Sequence, residues 1–549
     1  MKRDIQMLYK SIFFIGMLAL VIFLQFRVQL MNGFTVLYGD QYDALIVVTI
    51  LEHWWNVFQG LSSWTEVGYF HPYTNSIAQT DAYFMIGIIY APFRYIGLDP
   101  FISTELSNIT IRIIGFISFF YLARKFFSIS FFWALVAAGL FVLSSGLTAH
   151  GQRIQFSSIS FAPVLIILIW SFVNSIYKQE PKQLMFFGAL SGMFVGAWSL
   201  TCFYMTWFFI YFFVFFCISL FFYLGKSNLL DLTNRIIQYK YQLLFVLFIT
   251  LISFYPLLSV YLPKSNETGM RTYASVHLHT VPIEGIIQTG KDNFLFGRIY
   301  NNLLNFLFPN YKVSGEYYNT GISPILFFIF IGGLYVIFKN TQKNILLRSL
   351  ALSTLITWFC TLNLFGYSLW YVIYSIFPGA KALNVVSAYQ IFLSIPVILI
   401  AIKYLSSIDL PKVIVSLLVI LLFVEELNSG YITLKRNDEI SRFANFTPPP
   451  KECESFYVSG WQNQATYTPM TAWINQYYAH NVTAMIISVK HNIPTINGIA
   501  SFNPPDWNFG DPNNADYRAR VKVYIKKHQL NNVCRLNLNA HEWVTNEII

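Results

Sequence analysis

Charge is scarce in this chain. Asp, Glu, Lys and Arg make up 11% of its 549 residues, while 55% are hydrophobic, and an average soluble domain carries about 25% charged residues. The shortage excludes an ordinary water-soluble globule. Cysteine is also sparse, with five residues, which excludes a scaffold built mainly from disulfides. No internal repeat is visible, so the paired halves common in secondary transporters are missing. No small-residue cleavage site follows the apolar stretch after Met1-Lys2-Arg3, and that stretch is expected to remain as a signal anchor.

What remains is apolar, and it falls in blocks. Runs near 11–31, 102–123, 129–148, 157–176, 183–200, 203–224, 241–262, 321–339, 348–366, 385–405 and 411–428 approach the roughly 20 residues a helix needs to cross about 30 Å of hydrocarbon. They predict an α-helical polytopic membrane protein with about eleven transmembrane helices. The formal charge of +10 resides in short loops between these blocks, where it sets topology, so no nucleic-acid partner is expected. Basic groups such as Lys2 and Arg3, Arg124 and Lys125, Lys178 and Lys182, and Lys403 and Lys412 fall in every second loop. The positive-inside rule then places the N-terminus in the cytoplasm and loops 32–101, 149–156, 263–320 and 367–384 outside, with everything after about residue 430. The expected setting is a bacterial cytoplasmic (inner) membrane, with membrane lipid around the helices.

Several segments fall short of a crossing. Residues 82–98, interrupted by Pro92, and residues 367–378 read as helices lying on or dipping into the membrane. In 41–58 the residues Leu45, Val48, Leu51, Trp54, Trp55 and Phe58 recur near helical spacing, which predicts an amphipathic interfacial helix. Pro448-Pro449-Pro450 marks a composition change, dividing the chain into 1–430, the transmembrane part, and 431–549, a small external α/β domain. Cys453 and Cys534 stand near the two ends of the latter. An oxidising compartment would join them in a disulfide; otherwise they are two free thiols.

The long first loop concentrates carboxylates, beginning with Gly39-Asp40-Gln41-Tyr42-Asp43 and ending near Asp81. Acidic residues beside a span mark a polar cavity. A carboxylate there could take the proton from an attacking hydroxyl, or a pair could hold a divalent cation that neutralises a phosphate leaving group. Asp40 is read as functional ahead of a helix cap, whereas Asp43 stays open between function and a solvated helix position. Candidate cationic partners for a phosphate are His150-Gly151-Gln152-Arg153, Arg271 in a loop expected to act as a mobile cover, and Lys381 after Pro378-Gly379. Arg153 stays open between a phosphate contact and an interfacial anchor that snorkels to head groups. His277 and His279 lack the clustered ligands of a metal site. Glu105 and Arg112 lie about 10 Å apart on one face of a span, open to a substrate path or an internal ion pair. Glu425 and Glu426 end the last span and are expected to be solvated.

A first acidic motif just past the first span, interfacial helices in the loop that carries it, and an external C-terminal domain together resemble the GT-C class of membrane glycosyltransferases. That resemblance implies transfer of a hexose or pentose from a polyprenyl-phosphate-linked donor to an envelope glycan, lipid or protein. It also implies Asp40 as the catalytic carboxylate, Asp81 as a second acidic site and Asp43 in support, with His150, Arg153, Arg271 and Lys381 on the substrate side. The loop departs from the pattern in having no adjacent acidic pair, and no metal ligand is assigned. A transporter or flippase of a lipid-linked saccharide, using Glu105 and Arg112, is the alternative, and an envelope assembly factor a third.

Overall fold

The computed structural model describes residues 2–309, 316–339, 344–461 and 474–545. All eleven apolar blocks fold as helices: Lys2–Gln25, Pro100–Lys125, Phe131–Leu143, Phe161–Tyr177, Pro181–Thr201, Phe203–Tyr223, Lys240–Thr268, Pro324–Lys339, Ile345–Thr361, Tyr389–Leu405 and Lys412–Glu426. Among the described residues, eight helices are long and apolar enough to cross a membrane, and Pro324–Lys339 and Ile345–Thr361 are shorter apolar helices. The protein is an integral membrane protein. The Pro100–Lys125 helix starts at a side-chain cap. Asp99 accepts from the Phe101 and Ile102 amides at 3.0 and 3.2 Å, and Pro100 at the first turn needs no partner.

Two expectations about charge inside the bundle change. Glu425 and Glu426 are buried instead of solvated. The Glu425 carboxylate accepts from the Ile325 and Leu326 amides at 2.8 and 2.9 Å, at the open start of the Pro324–Lys339 helix. Glu426 accepts from Ser145 N at 2.6 Å, where the chain restarts after the helix ending at Leu143. Helix N-termini leave amides unpaired, and an anion there also meets the positive end of the helix dipole. Arg112, fully buried, donates from Nη1 to Val142 O at 2.8 Å and from Nη2 to Leu147 O at 3.3 Å. It closes the carbonyls of that same break. The two glutamates and the arginine thus supply partners that neither lipid nor water provides at this depth.

The 41–58 segment is a helix, Asp43–Phe58, but not a surface one. Leu45, Val48, Leu51 and Trp54 are buried, and so are Val47 and Ile50 on other sides of the helix. Helices Phe84–Tyr95 and Ala479–His491 cover it, with Trp54 Nε1 donating to Ala82 O at 2.5 Å and Asn56 Nδ2 to Val489 O at 2.8 Å. The apolar stripe meets protein where lipid had been expected. Phe84–Tyr95 has 12 residues, and Trp370–Ile376 has 7; at 1.5 Å per residue both are far shorter than a bilayer.

Beyond residue 430 the chain is mixed α/β. Strands Ser455–Ser459 and Val533–Asn537 run parallel, and Glu542–Val544 pairs antiparallel with the latter. Helices Ala479–His491 and Tyr517–Lys527 accompany them. Cys453 and Cys534 form a disulfide with Cα atoms 5.6 Å apart. Segment 68–71 of the first loop joins this unit through Thr495 N to Gly68 O, 2.7 Å, and His71 N to Thr495 O, 2.9 Å. Asn497-Gly498, which resembles a turn signal, is a buried hub instead. Asn497 Oδ1 accepts from Val458 N and its Nδ2 donates to Asn481 Oδ1 and Tyr517 Oη. The Asn503–Trp507 loop is pinned by Asp506, which binds Tyr73, Lys527 and His528.

Removing the Glu425 carboxylate should orphan two buried amides, so Glu425→Ala is expected to lose about 2 kcal/mol or more. Glu425→Gln, which keeps one acceptor oxygen, should lose less. Thermal unfolding of both variants in detergent measures this, and an unchanged midpoint for the alanine variant would contradict the capping role.

Candidate functional site

Gly39 shapes the opening of the acidic segment. Its φ is +115°, and a Cβ there would lie 2.2 Å from the Ala44 Cβ, so a side chain at this turn is excluded on both counts. The flanking backbone is clamped to residues after 430. Val36–Leu37 pairs antiparallel with Leu434–Lys435, and Gly39 N donates to Tyr431 O at 2.6 Å. Thr433 Oγ1 donates to Gly39 O at 2.8 Å. Arg436 then reaches back to the Asp99 carboxylate, 2.5 Å from Nη2. Asp40 is therefore displayed from a backbone tied down on its N-terminal side.

Part of the capping reading of Asp40 is present, since its Oδ1 accepts from Tyr42 N at 3.0 Å. Even so, burial and then the neighbouring Asp43 raise its carboxyl to about 6, and the Tyr42 and Ala44 amides with Arg153 offset only part of that. A carboxylate balanced so close to neutrality can exchange a proton in either direction.

Asp43 begins the next helix and meets Arg153 from the turn between two spans, with Nε to Oδ2 at 2.9 Å. Arg153 also grips Glu316, Nη1 to Oε2 at 2.5 Å and Nη2 to Oε1 at 3.2 Å. This is the planar, two-pronged geometry that guanidinium offers and ammonium does not. Burial alone would raise Glu316, but Arg153, followed by His150 and His279, holds it down at about 2. The same guanidinium lowers the imidazoles too, because it favours a charged carboxylate but disfavours a charged ring. His150, whose Nδ1 lies 2.8 Å from Gly146 O, falls to about 4 through burial and then Arg153. His279 is lowered by burial and by Arg271 and Arg153, against Glu316. The His150 ring is neutral at pH 7.

Asp81 stands to one side. It accepts from Phe203 N at 2.8 Å, capping the Phe203–Tyr223 helix, and burial lifts it to about 6. Tyr83 links it to the cluster: burial first, then Asp81, Cys202 and Asp43, push its hydroxyl up while Arg153 opposes them. Arg271 and Lys381 form a separate cationic pair. Arg271 N donates to Lys381 O at 3.1 Å, and its guanidinium lies 4.6 Å from the Phe502 ring centre and binds Ser501 O. Lys381 is exposed, its ammonium 5.7 Å over Tyr374. Arg271 and Arg153 both oppose protonation of His279.

The sequence-predicted residues thus divide into three groups. Asp40, Asp43, His150 and Arg153 converge; Arg271 adjoins Lys381; Asp81 caps a helix nearby. Glu316, His279 and Tyr478 complete the site without having been singled out for it. The Tyr478 hydroxyl is pushed up by burial and by Asp43, with Glu316 and Asp40 adding and Arg153 opposing. Glu316 lies in a loop whose basic residues attract attention first, and its charge was the available signal. For a divalent cation the arrangement is a poor fit, because the Arg153 guanidinium already fills the space between Asp43 and Glu316. Among the described residues no three His, Cys, Asp or Glu side chains group as metal ligands.

No protein-family model matches this chain, and no curated protein matches it in sequence. Among solved structures it is similar to the crystal structure of the Archaeoglobus fulgidus oligosaccharyltransferase tethered with an acceptor peptide containing the NVT sequon via a disulfide bond. The TM-score is 0.48 with 11% sequence identity, covering 95% of this chain and 69% of that one.

Proposed function

We propose that the protein is a membrane glycosyltransferase that moves a hexose or pentose from a polyprenyl-phosphate-linked donor to an envelope glycan, lipid or protein outside the cytoplasmic membrane. One observation carries this reading: a carboxyl raised to about 6, Asp40, sits next to Asp43 and Arg153, the latter also bound to Glu316. The acceptor's hydroxyl or amide nitrogen attacks the anomeric carbon, the bond from that carbon to the phosphate oxygen breaks, and the phosphate leaves with the electron pair. Asp40 takes the proton. Asp43 and Glu316 fix Arg153, whose positive charge they more than balance, so the leaving phosphate falls to Arg271 and Lys381. Asp81 supports the wall of the site, and no step is routed through a metal. The Cys453–Cys534 disulfide supports an external, oxidising location for the residues after 430.

Asp40→Asn should abolish transfer of labelled sugar from a panel of polyprenyl-phosphate hexoses and pentoses while membrane insertion is kept. Full activity in that variant would remove the assignment.

A base must be deprotonated to work, so kcat/KM should fall about tenfold per pH unit below about 6 and level off above 7. Asp43→Asn removes a neighbouring negative charge and frees Arg153 toward Asp40; both effects lower the Asp40 value, and the acid limb of the profile should move to lower pH. A limb that stays in place, or moves up, argues that another group titrates.

A further inference from the structure

The helix Gly297–Leu307 presents three different faces. Toward the protein it turns the buried Gly297 and Leu304, along with Tyr300, which donates from Oη to Glu284 O at 2.6 Å. A second face is apolar and bare: Ile299, Leu303 and Phe306 are 59%, 47% and 81% exposed. A third holds Arg298, Asn302 and Asn305, all exposed. With ~100° between successive residues, the apolar and polar faces are each rotated ~120° from the protein-facing one, in opposite senses. Such a helix is built for a boundary, with protein on one side, an apolar phase on the second and water on the third.

Its height is set by the chain before it. Phe294 N donates to Leu427 O at 2.8 Å, and Asn293 Nδ2 donates to Glu425 O at 2.6 Å. Both acceptors lie at the end of the Lys412–Glu426 helix, the final apolar block of the chain. Asn293 Oδ1 in turn accepts from Leu295 and Phe296 N at 3.2 and 2.9 Å. The helix therefore starts level with the rim of the bundle. A water-facing location would leave Ile299, Leu303 and Phe306 solvated together, a contiguous exposed patch of the kind that marks an interaction surface.

We propose that Gly297–Leu307 is an in-plane membrane helix, with its Ile299–Leu303–Phe306 face sunk to the boundary between lipid headgroups and acyl chains and its Asn302–Asn305 face in water. The single charge on the helix, Arg298, borders the polar face, where it meets lipid phosphate. This assignment concerns the bilayer as partner and stands whether or not the protein transfers sugar.

The test uses the full chain in proteoliposomes, with Cys202, Cys217 and Cys360 replaced by Ser and the Cys453–Cys534 disulfide kept. Nitroxide labels are placed singly at Leu303→Cys, Phe306→Cys, Asn302→Cys and Asn305→Cys, and relaxation by oxygen is compared with relaxation by a water-soluble nickel chelate. Labels at 303 and 306 should favour oxygen at least several-fold, and those at 302 and 305 should favour nickel. Nickel access at all four sites would place the helix in water and overturn the proposal. Labels at 303 and 306 shielded from both reagents would overturn it too, showing a protein partner or second copy on that face. Should the cysteine variants fail to fold, the wild-type chain can be photolabelled from lipids carrying a carbene precursor at the carbonyl level. Label on Ile299, Leu303 or Phe306 supports the proposal, and label absent from the helix refutes it.

Discussion

The Arg153 guanidinium, on the turn between two spans, holds together two carboxylate-bearing stretches that the chain delivers from distant places: the start of the Asp43–Phe58 helix and the loop carrying Glu316. A single cation between two anions has to satisfy both, and the planar fork of arginine does so with separate nitrogens. Were Arg153 absent, Asp43 and Glu316 would both lose this partner as partly buried charges, a costly state. The arrangement of Asp43 and Glu316 follows from this one bridge, while the raised carboxyl of Asp40 beside it comes from burial and then Asp43, against the pull of Arg153. Ion pairs of this sort contribute more to a unique arrangement than to net stability.

Around the site, the structure repeatedly uses charged side chains to close backbone groups that broken helices leave open. Glu425 and Glu426 serve amides, Arg112 serves carbonyls, and Asp99 serves two amides while also receiving Arg436. In hydrocarbon every unpaired peptide group is expensive. Charge is rare in this chain, and these residues carry it to places where the helical ladder is interrupted. The interruptions in turn permit the irregular backbone that presents polar groups at one end of the bundle.

How far the sequence revealed this depends on the range of the interaction concerned. Apolar blocks of span length were legible because lipid imposes its demand locally, and each block became a helix. Asp40, Asp43 and Arg153 were legible because charges beside spans stand out against an apolar background. The helical body followed by a small α/β unit is the arrangement implied by the GT-C resemblance. Glu316 was not legible as their partner, since nothing local ties residue 316 to residue 153. For the same reason Glu425 and Glu426 looked like solvated residues at a helix end; the amides they serve belong to other helices. The Asp43–Phe58 helix had the right periodicity, but periodicity tells how many sides are apolar and not whether lipid or protein meets them. Asn497 followed by Gly498 has turn chemistry, yet the surrounding backbone recruited its amide as a hub.

The hydrogen bonds between Gly68–His71 and Thr495 impose an order on biosynthesis. At about 5–20 residues per second, the ~420 residues separating these partners take roughly 20–80 s to appear. Through that interval the segment 68–71 lacks Thr495, and the side chains of the Asp43–Phe58 helix that Ala479–His491 will cover lack that cover. The membrane surface can shelter those side chains in the meantime. On this view the amphipathic pattern of residues 41–58 describes a temporary address that the nascent chain occupies before the last part of the protein arrives to claim the helix.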